Sequence, residues 1–340
     1  MASIRQIAAR AGVSIATVSR ALRHDPRTAE ATRERILALA HEMGYRPDPA
    51  MAALISTRWK ETAAPGVPVA YLTFLPDPLS RSGIRVHLPG VEAMAGGMGL
   101  RLVRQNVQRA ADLPAILETM CARGISGILI DRFSVDDPVP ANADWSPFAV
   151  VSLDRRFVAP GFHTVTQDAY SGALEVFRRV VERGYRRILA LMFHHVPAHP
   201  DDEERDAALA LARTRAPPGV RIEAREHISL HPDMTRTYLE WIASVRPDCL
   251  VAFNGAVVSH LDAIGYRVPE KFGLAILSRM DEPDAYDCTG WQERHDAAAE
   301  VAVRMLDRMV RRGERGVPGI PTETRVPGVW YEGSTLGIPH

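Results

Sequence analysis

The spacing of apolar positions changes character along the chain. Between Ile4 and Leu22 apolar residues return every three or four positions in two short segments, Ile4, Ile7, Ala8 and Ala11, then Val18, Ala21 and Leu22. That is the period of amphipathic helices. Ser3 followed by Gln6 makes a capping-box pattern for the first segment, and Ser14 is a natural N-cap for the second. Gly12 between them supplies the backbone freedom of a sharp reversal, with Val13 placed to plug the angle. A third segment over 29–43 puts Ile36, Leu39, Ala40 and Met43 on one face and ends at Gly44. Three such faces close a small helical core. From Val69 the pattern becomes short apolar runs alternating with helical stretches. VAYLTFL, LRLVRQNV, GILIDR and FAVVSLD read as strands, with GVEAMAGGMG and LPAILETMCARG as helices. HTVTQD, RRILALMF, RIEAREHI, CLVAFN and FGLAILS form a second series, with helices over about 169–183, 204–214 and 234–245. Strands alternating with helices predict parallel sheets with right-handed crossovers, and two series predict two doubly wound lobes behind the helical head, an α/β fold.

The second helical segment leaves Ile15, Ala16, Thr17, Ser19 and Arg20 facing outward. Two helices joined at a tight turn can lay the second in a DNA major groove. There Arg20 can form a bidentate pair with guanine, Ile15 and Ala16 can touch thymine methyls, and Ser14, Thr17 and Ser19 can bond phosphates. An ordinary helical hairpin with a solvated small-residue face shows the same pattern. Charge favours the first reading. The chain is neutral overall, yet residues 1–60 hold ten Lys and Arg against five Asp and Glu, which leaves 31 cations and 36 acids beyond. A basic head on an acidic body is the footprint of polyanion binding. Length, at 340 residues, allows two or three folded units, and 46% hydrophobic with 24% charged residues is ordinary for a globular protein. Cys121, Cys249 and Cys288 have neither disulfide-framework nor metal-ligand spacing and read as small buried hydrophobes in a reducing compartment. No apolar run approaches a membrane span and the first ten residues lack a signal-peptide core, so a cytoplasmic location and no membrane partner are expected.

Arg46-Pro47-Asp48-Pro49 interrupts the chain before a short apolar stretch, Ala50–Ile55. A helix this short is marginal in water and needs a partner, either its own copy in a dimer or DNA. AGVSIATVSRAL, then TRERI, then MGYRPDPAMAAL, together resemble the headpiece and hinge of the lactose-repressor (LacI/GalR) family of bacterial transcription regulators. The resemblance covers about the first 57 residues without a gap. It implies that Ile15, Ala16 and Arg20 read bases and that Ser14, Thr17, Ser19, Thr32 and Tyr45 contact or position the phosphate backbone. Arg23 and Met51 join the DNA-binding set by the same resemblance. Leu54 corresponds to the hinge leucine that enters the operator's minor groove as a pair, an apolar wedge that unstacks a base step. Two positions depart from the family: Asp48 stands where asparagine is common and would repel phosphates, and Pro49 opens the hinge. Gln167-Asp168, RGYRRILAL and RRGERGVPGIPTETRVPGVWYEGST resemble the family's core, which implies a periplasmic-binding-protein-like pair of lobes around a cleft. The expected division is a head over 1–46, a hinge and linker over 47–61, and a core over 68–334. Within the core, lobe 1 takes about 68–158 and 288–317, and lobe 2 about 159–287 and 318–334.

Open parallel sheets bind ligands beyond the carboxyl ends of their strands. Asp154, Asn254 and Ser278 end strands there, Gln292 follows the next connection, and Arg205 falls early in a helix after the loop His194–Asp202. The resemblance implies that these five contact a small-molecule effector, and the guanidinium of Arg205 suits a sugar diol or a carboxylate. Ser278 and Gly255 depart from the carboxylates usual in sugar-binding members. His194, His195 and His199 have neither metal-ligand spacing nor an evident carboxylate partner, so no metal or cofactor is expected. Trp241 and Trp330 read as core or interface residues. The expected partners are palindromic double-stranded DNA, a second copy of the chain and a small molecule such as a carbohydrate or related metabolite. Three alternatives stand beside this reading: a ligand-independent regulator whose body only dimerises, a solute-binding protein with a fused head, and an enzyme with a DNA-binding head. Nucleophile elbow, P-loop and dinucleotide fingerprint are all missing from the sequence, which speaks against the last.

Overall fold

A computed structural model describes residues 4–14, 17–18, 21, 30–43, 66–74, 87–133, 139–157, 160–196, 198–227, 234–279 and 286–338. In the head, α1 (Ile4–Ala11) and α2 (Glu30–Glu42) flank residues 17, 18 and 21, which are helical. Gly12 turns the chain with φ of 65°, a conformation that costs a side-chain-bearing residue free energy. Ile7, Val18, Ala21 and Ile36 are fully buried, and Ala8 and Ala40 nearly so. Arg35 donates to the carbonyl of Ala11 at 3.1 Å, satisfying one of the open carbonyls at the end of α1. Arg10 and Glu42 pair at 2.8 Å across the head's surface.

The body contains two six-stranded sheets. Lobe 1 holds β1 (Val67–Phe74), β2 (Leu100–Val107), β3 (Gly127–Phe133), β4 (Ala149–Ser152), β5 (His163–Gln167) and β11 (Glu323–Val326), in the order β11-β5-β4-β3-β1-β2. Lobe 2 holds β6 (Arg187–Phe193), β7 (Arg221–His227), β8 (Cys249–Ala252), β9 (Gly273–Arg279), β10 (Thr289–Gln292) and β12 (Val329–Tyr331), in the order β12-β10-β9-β8-β6-β7. Pairings are parallel except β10 with β12. Alternate residues of β1 enter different cores. Val69 and Tyr71 meet α3 (Leu88–Gly97) and α9 (His295–Arg312), whereas Leu72 and Phe74 meet α4 (Leu113–Ala122). Lobe 2 repeats the plan, with α5 (Ala169–Glu182) and α6 (Pro200–Thr214) on one face and α7 (Met234–Val245) and α8 (Val257–Ala263) on the other. Gly172 of α5 lies under the Trp291 indole, where a Cβ would sit 2.3 Å from Nε1. Cys249 and Cys288 are fully buried, and burial pushes the Cys249 thiol up, while Cys121 is half-buried.

Strands β1 to β9 fall where the alternating pattern placed them, while β10, β11 and β12 were not read from it, and the division of strands between lobes differs from the expected one. β5 and β11, expected in lobe 2, complete the sheet of lobe 1, burying Val165 and Val326 in its core. Residues 288–292, expected in lobe 1, belong to lobe 2, with Cys288 in its core and β10 in its sheet, and the return begins with α9. Apolar alternation identifies a strand without saying which of two similar sheets accepts it. Helices α8 and α9 were not predicted; α8 has seven residues, of which Val257, Val258 and Leu261 are buried, and so short a helix carries little periodic signal. Among the described residues no helix is long and apolar enough to cross a membrane.

Candidate functional site

The head builds its turn from local hydrogen bonds. Ser14 accepts from the Thr17 amide through Oγ at 3.1 Å, and its carbonyl accepts from the Val18 amide at 3.1 Å. The Ser14 and Thr17 hydroxyls are 2.8 Å apart. Ser14, Thr17 and Thr32 are therefore the members of the sequence-based DNA-binding set whose surroundings are described: Ser14 is exposed, and Thr17 and Thr32 are half-exposed. Ile15, Ala16, Ser19, Arg20, Arg23, Tyr45, Met51 and Leu54 lie outside the described residues, as does the hinge over 47–61. Ser14→Ala is expected to destabilise the head by about 1 kcal/mol, the typical worth of a cap. A thermal melt of the full chain followed on the head's helical signal measures it.

In the body, the chain crosses between lobes after β5, between β10 and α9, and between β11 and β12. Two crossings are tied to each other: Gln167 donates to the Arg294 carbonyl at 3.1 Å and accepts from the Arg294 amide at 3.2 Å. The cleft opens beside this hinge, at the carboxyl ends of both sheets. Helix α6 enters it by its amino end and begins at Pro200, four residues before the expected start, with His199 accepting from the Asp201 amide at 3.2 Å as the cap. Proline at the first helical position and acids in the first turn are the signals for that earlier start. Starting there, α6 delivers Asp201, Asp202, Glu204 and Arg205 to the cleft.

Two clusters result. At the rim, Arg155, just after β4 of lobe 1, meets Asp201 at 3.1 Å and Glu204 at 2.8 Å on lobe 2. Arg325 of β11 meets the same Glu204 at 2.8 Å. Burial would raise the Asp201 carboxyl, but the hydrogen bond to His199 and the charges of His199, Arg205 and Arg155 outweigh it and hold it well below the usual carboxylate range. These pairs latch the lobes together. Removing Arg155 leaves Asp201 with His199 and Glu204 with Arg325 as their remaining ion-pair partners, and takes away the cation that ties both to lobe 1. Arg155→Ala is therefore expected to increase the radius of gyration of the full chain in X-ray scattering, by an amount that 1 M salt also produces in the unmutated chain.

Deeper, the buried Arg205 pairs with Asp202 at 3.3 Å and Glu293 at 3.4 Å and lies 4.8 Å from the centre of the Phe253 ring. Phe193 stacks on Phe253 at 5.0 Å, and His195 meets its edge at 5.5 Å. His195 is held by Asp202, with Nδ1 at 2.8 Å from Oδ1 and the backbone amide donating at 2.7 Å. Burial pushes Asp202 up, but these bonds and the Arg205 charge bring its net shift down. Glu293 continues to His295 at 3.4 Å, whose ring meets His87 edge-on at 5.0 Å. His87 in turn lies 3.2 Å from Asp131, to which Tyr71 also donates. A polar path thus runs from Arg205 across the hinge into lobe 1.

Of the other sequence-based effector residues, Asp154 is buried and accepts from Arg156 at 2.5 Å, with His199 of lobe 2 at 3.8 Å. Asn254 accepts from the Ala256 amide at 3.1 Å and stands at the mouth of a cavity described below. Ser278 is buried, its amide donating to the Phe253 carbonyl at 2.8 Å. Gln292 accepts from Arg279 at 2.6 Å, and Arg279 lies on the Tyr331 ring, so its contacts are with the β10–β12 edge. The geometry thus gathers Arg205, Asn254 and Ser278 around Phe253 and assigns Gln292 to another neighbourhood. Phe193, His195, Phe253 and Glu293 were missed. An aromatic residue closing or directly following an apolar strand, Phe193 after RILALM and Phe253 after CLVA, was the available signal. The three histidines do have carboxylate partners, contrary to expectation: His194 meets Asp206 at 2.9 Å, His195 meets Asp202, and His199 meets Asp201 at 3.4 Å. Among the described residues no group of three or more His, Cys, Asp or Glu side chains is arranged to hold a metal ion.

Comparison with known proteins agrees with this architecture. The profile described as bacterial regulatory proteins, lacI family, matches residues 3–48. The HTH-type transcriptional regulator CelR of Thermobifida fusca is 26% identical over 282 residues, 79% of each chain. Catabolite control protein A of Priestia megaterium is 25% identical over 187 residues, 55% of this chain and 53% of that protein. Among solved structures, a CelR–cellobiose complex superposes with a TM-score of 0.61 at 18% identity, over 98% of this chain and all of that one. The lac repressor dimer bound to operator and the anti-inducer ONPF gives 0.60 at 16% identity, over 98% of both chains.

Proposed function

We propose that the chain is an effector-controlled repressor of the lacI family of bacterial regulatory proteins, a DNA-binding transcription regulator rather than an enzyme; the match of residues 3–48 to that family's profile and the 26% identity to CelR over 79% of each chain support this reading. Two copies present their heads to the half-sites of a palindromic operator, and a small molecule binds between the lobes. The head over residues 1–46 reads DNA, with Arg20, Ile15 and Ala16 on base edges, Ser14, Thr17, Ser19, Arg23, Thr32 and Tyr45 on or near the backbone, and Met51 and Leu54 of the hinge in the minor groove. The observation that carries the effector half is the convergence of Arg205, Phe253, His195 and Asn254 at the carboxyl ends of the lobe 2 strands, facing Asp154 across the cleft. A stacked aromatic wall beside fixed donors and acceptors suits a ring-shaped polyol, and one structural neighbour was solved with cellobiose. A carbohydrate or related metabolite in the cytosol is accordingly the proposed effector.

The mechanism follows from the fold. The lobes are joined at one hinge and latched by Arg155, so a ligand that prefers one degree of closure shifts the lobe angle and with it the spacing of the two hinge segments. Arg205 orients the ligand through its neighbours' fixed hydrogen bonds. Metabolite screening by thermal shift, followed by titration of each hit against chain bound to operator, tests this half: a stabilising compound is expected to change DNA affinity, and a chain that no carbohydrate stabilises contradicts it. For the other half, Arg20→Ala is expected to weaken specific binding by about 1–3 kcal/mol and relax the preference at one operator position. Binding selection on random duplexes reads it directly, and an unchanged preference removes Arg20 from base reading.

A further inference from the structure

Behind Phe253 lies a cavity of about 80 Å³, between the β6 and β8 strands and helices α7 and α8. Its floor is Leu191, Tyr238, Ala252 and Val257, each buried, and Phe253 and Asn254 stand at its half-buried mouth beside the cleft. A trapped water needs two to four polar partners, and this lining is apolar apart from the Asn254 amide and the Tyr238 hydroxyl. The Asn254 oxygen is already engaged by the Ala256 amide. The space therefore favours an apolar guest. On the cleft side, the cation of Arg205 is shared between Asp202 and Glu293 and covered by the Phe253 ring, so its own charge is already balanced by these partners.

We propose that this cavity is a binding subsite for a compact apolar group of about three carbons, carried by an uncharged polar ligand whose remainder lies in the cleft. The size follows from comparison with a cavity of about 150 Å³, which holds the six carbons of benzene. The Phe253 ring is the shared wall: the ligand's polar part meets the side chains grouped around it, and the apolar branch passes its edge. This inference rests on the reading of the cleft as an effector site, and it adds what that reading leaves open, the chemical character of the ligand.

The test uses the full chain and 2-methylpropan-1-ol, which joins a branched apolar group to one hydroxyl. Saturation-transfer NMR is expected to show transfer to its methyl protons, with glycerol giving none. Ala252→Leu fills the space with three carbons and is expected to weaken the alcohol by about 50-fold, the worth of that much apolar burial. Val257→Phe fills it from the helix side and serves if the first variant fails to show the unmutated circular dichroism spectrum. Absence of transfer in the unmutated chain, or equal transfer in a folded filled variant, overturns the proposal. The two readings fail separately. If the alcohol binds but no metabolite changes DNA affinity, the effector reading falls and the cavity assignment stands; if a metabolite acts while the alcohol does not bind, the reverse holds.

Discussion

Ile36→Ala is expected to abolish operator binding while leaving the lobes folded. Ile36 is fully buried in α2, and the head's core contains only Ile7, Ala8, Val18, Ala21 and Ala40 besides it among fully or nearly buried apolar residues described. Truncating a buried isoleucine costs about 2–5 kcal/mol in transfer and cavity terms. A head of about 45 residues, at 0.05–0.15 kcal/mol per residue, has roughly 2–7 kcal/mol of stability in total. The substitution consumes most of that, and DNA-reading side chains on an unfolded head have no fixed geometry. Gel-shift affinity should fall with the folded fraction of each head, by about 100-fold where the variant head is left unstable by about 2.7 kcal/mol. The calorimetric transition of the body should keep its midpoint. Retained affinity would mean that the head is stabilised from elsewhere.

Arg205→Ala carries the second largest expected effect, on both stability and response. Its removal leaves Asp202 and Glu293 buried, each with one histidine neighbour in place of a permanent cation. Breaking a buried ion pair on one side costs about 3–5 kcal/mol. The loss has a defined pH dependence. The Asp202 carboxyl is held below its unfolded value, against burial, by the bonds and charge of His195 and, as a smaller part, by the charge of Arg205, so the Arg205 part is present above the unfolded pKa of about 3.9 and is lost as pH falls through the folded value. The stability gap between the variant and the unmutated chain should therefore be full at pH 7 and shrink below about pH 4. Denaturant melts across that range measure it. The effector response should vanish at every pH, and Arg205→Lys should recover much of the stability without the response, because an ammonium lacks the planar fork of donors. A gap independent of pH would show that Arg205 acts by packing alone.

The parts of this molecule that could be read from sequence are those in which local chemistry and tertiary packing agree. Ser14 as a cap, Gly12 as the turn, and Ile7, Val18, Ala21 and Ile36 as core are each dictated within a few residues, and each is found so. The alternating strands and helices of the body were equally legible. What failed was whatever depends on contacts far apart in the chain. The sheet that accepts β5 is decided by pairing with β4 and by Val165 fitting the core of lobe 1, and neither is visible in HTVTQ. His195 was read in a loop and Phe253 near the end of the strand CLVAFN, and both acquire a role only once α6 starts at Pro200 and sets Asp202 and Arg205 beside them.

The central claim is that paired heads read a symmetric DNA site under control of the body. Binding selection with the full chain, followed by sedimentation of the chain on the enriched duplex, tests it most directly. The account predicts a two-fold symmetric sequence, two chains per duplex, and loss of that preference when the body is removed. A preference for an asymmetric site held by a single chain, or no preference among random duplexes, would contradict it.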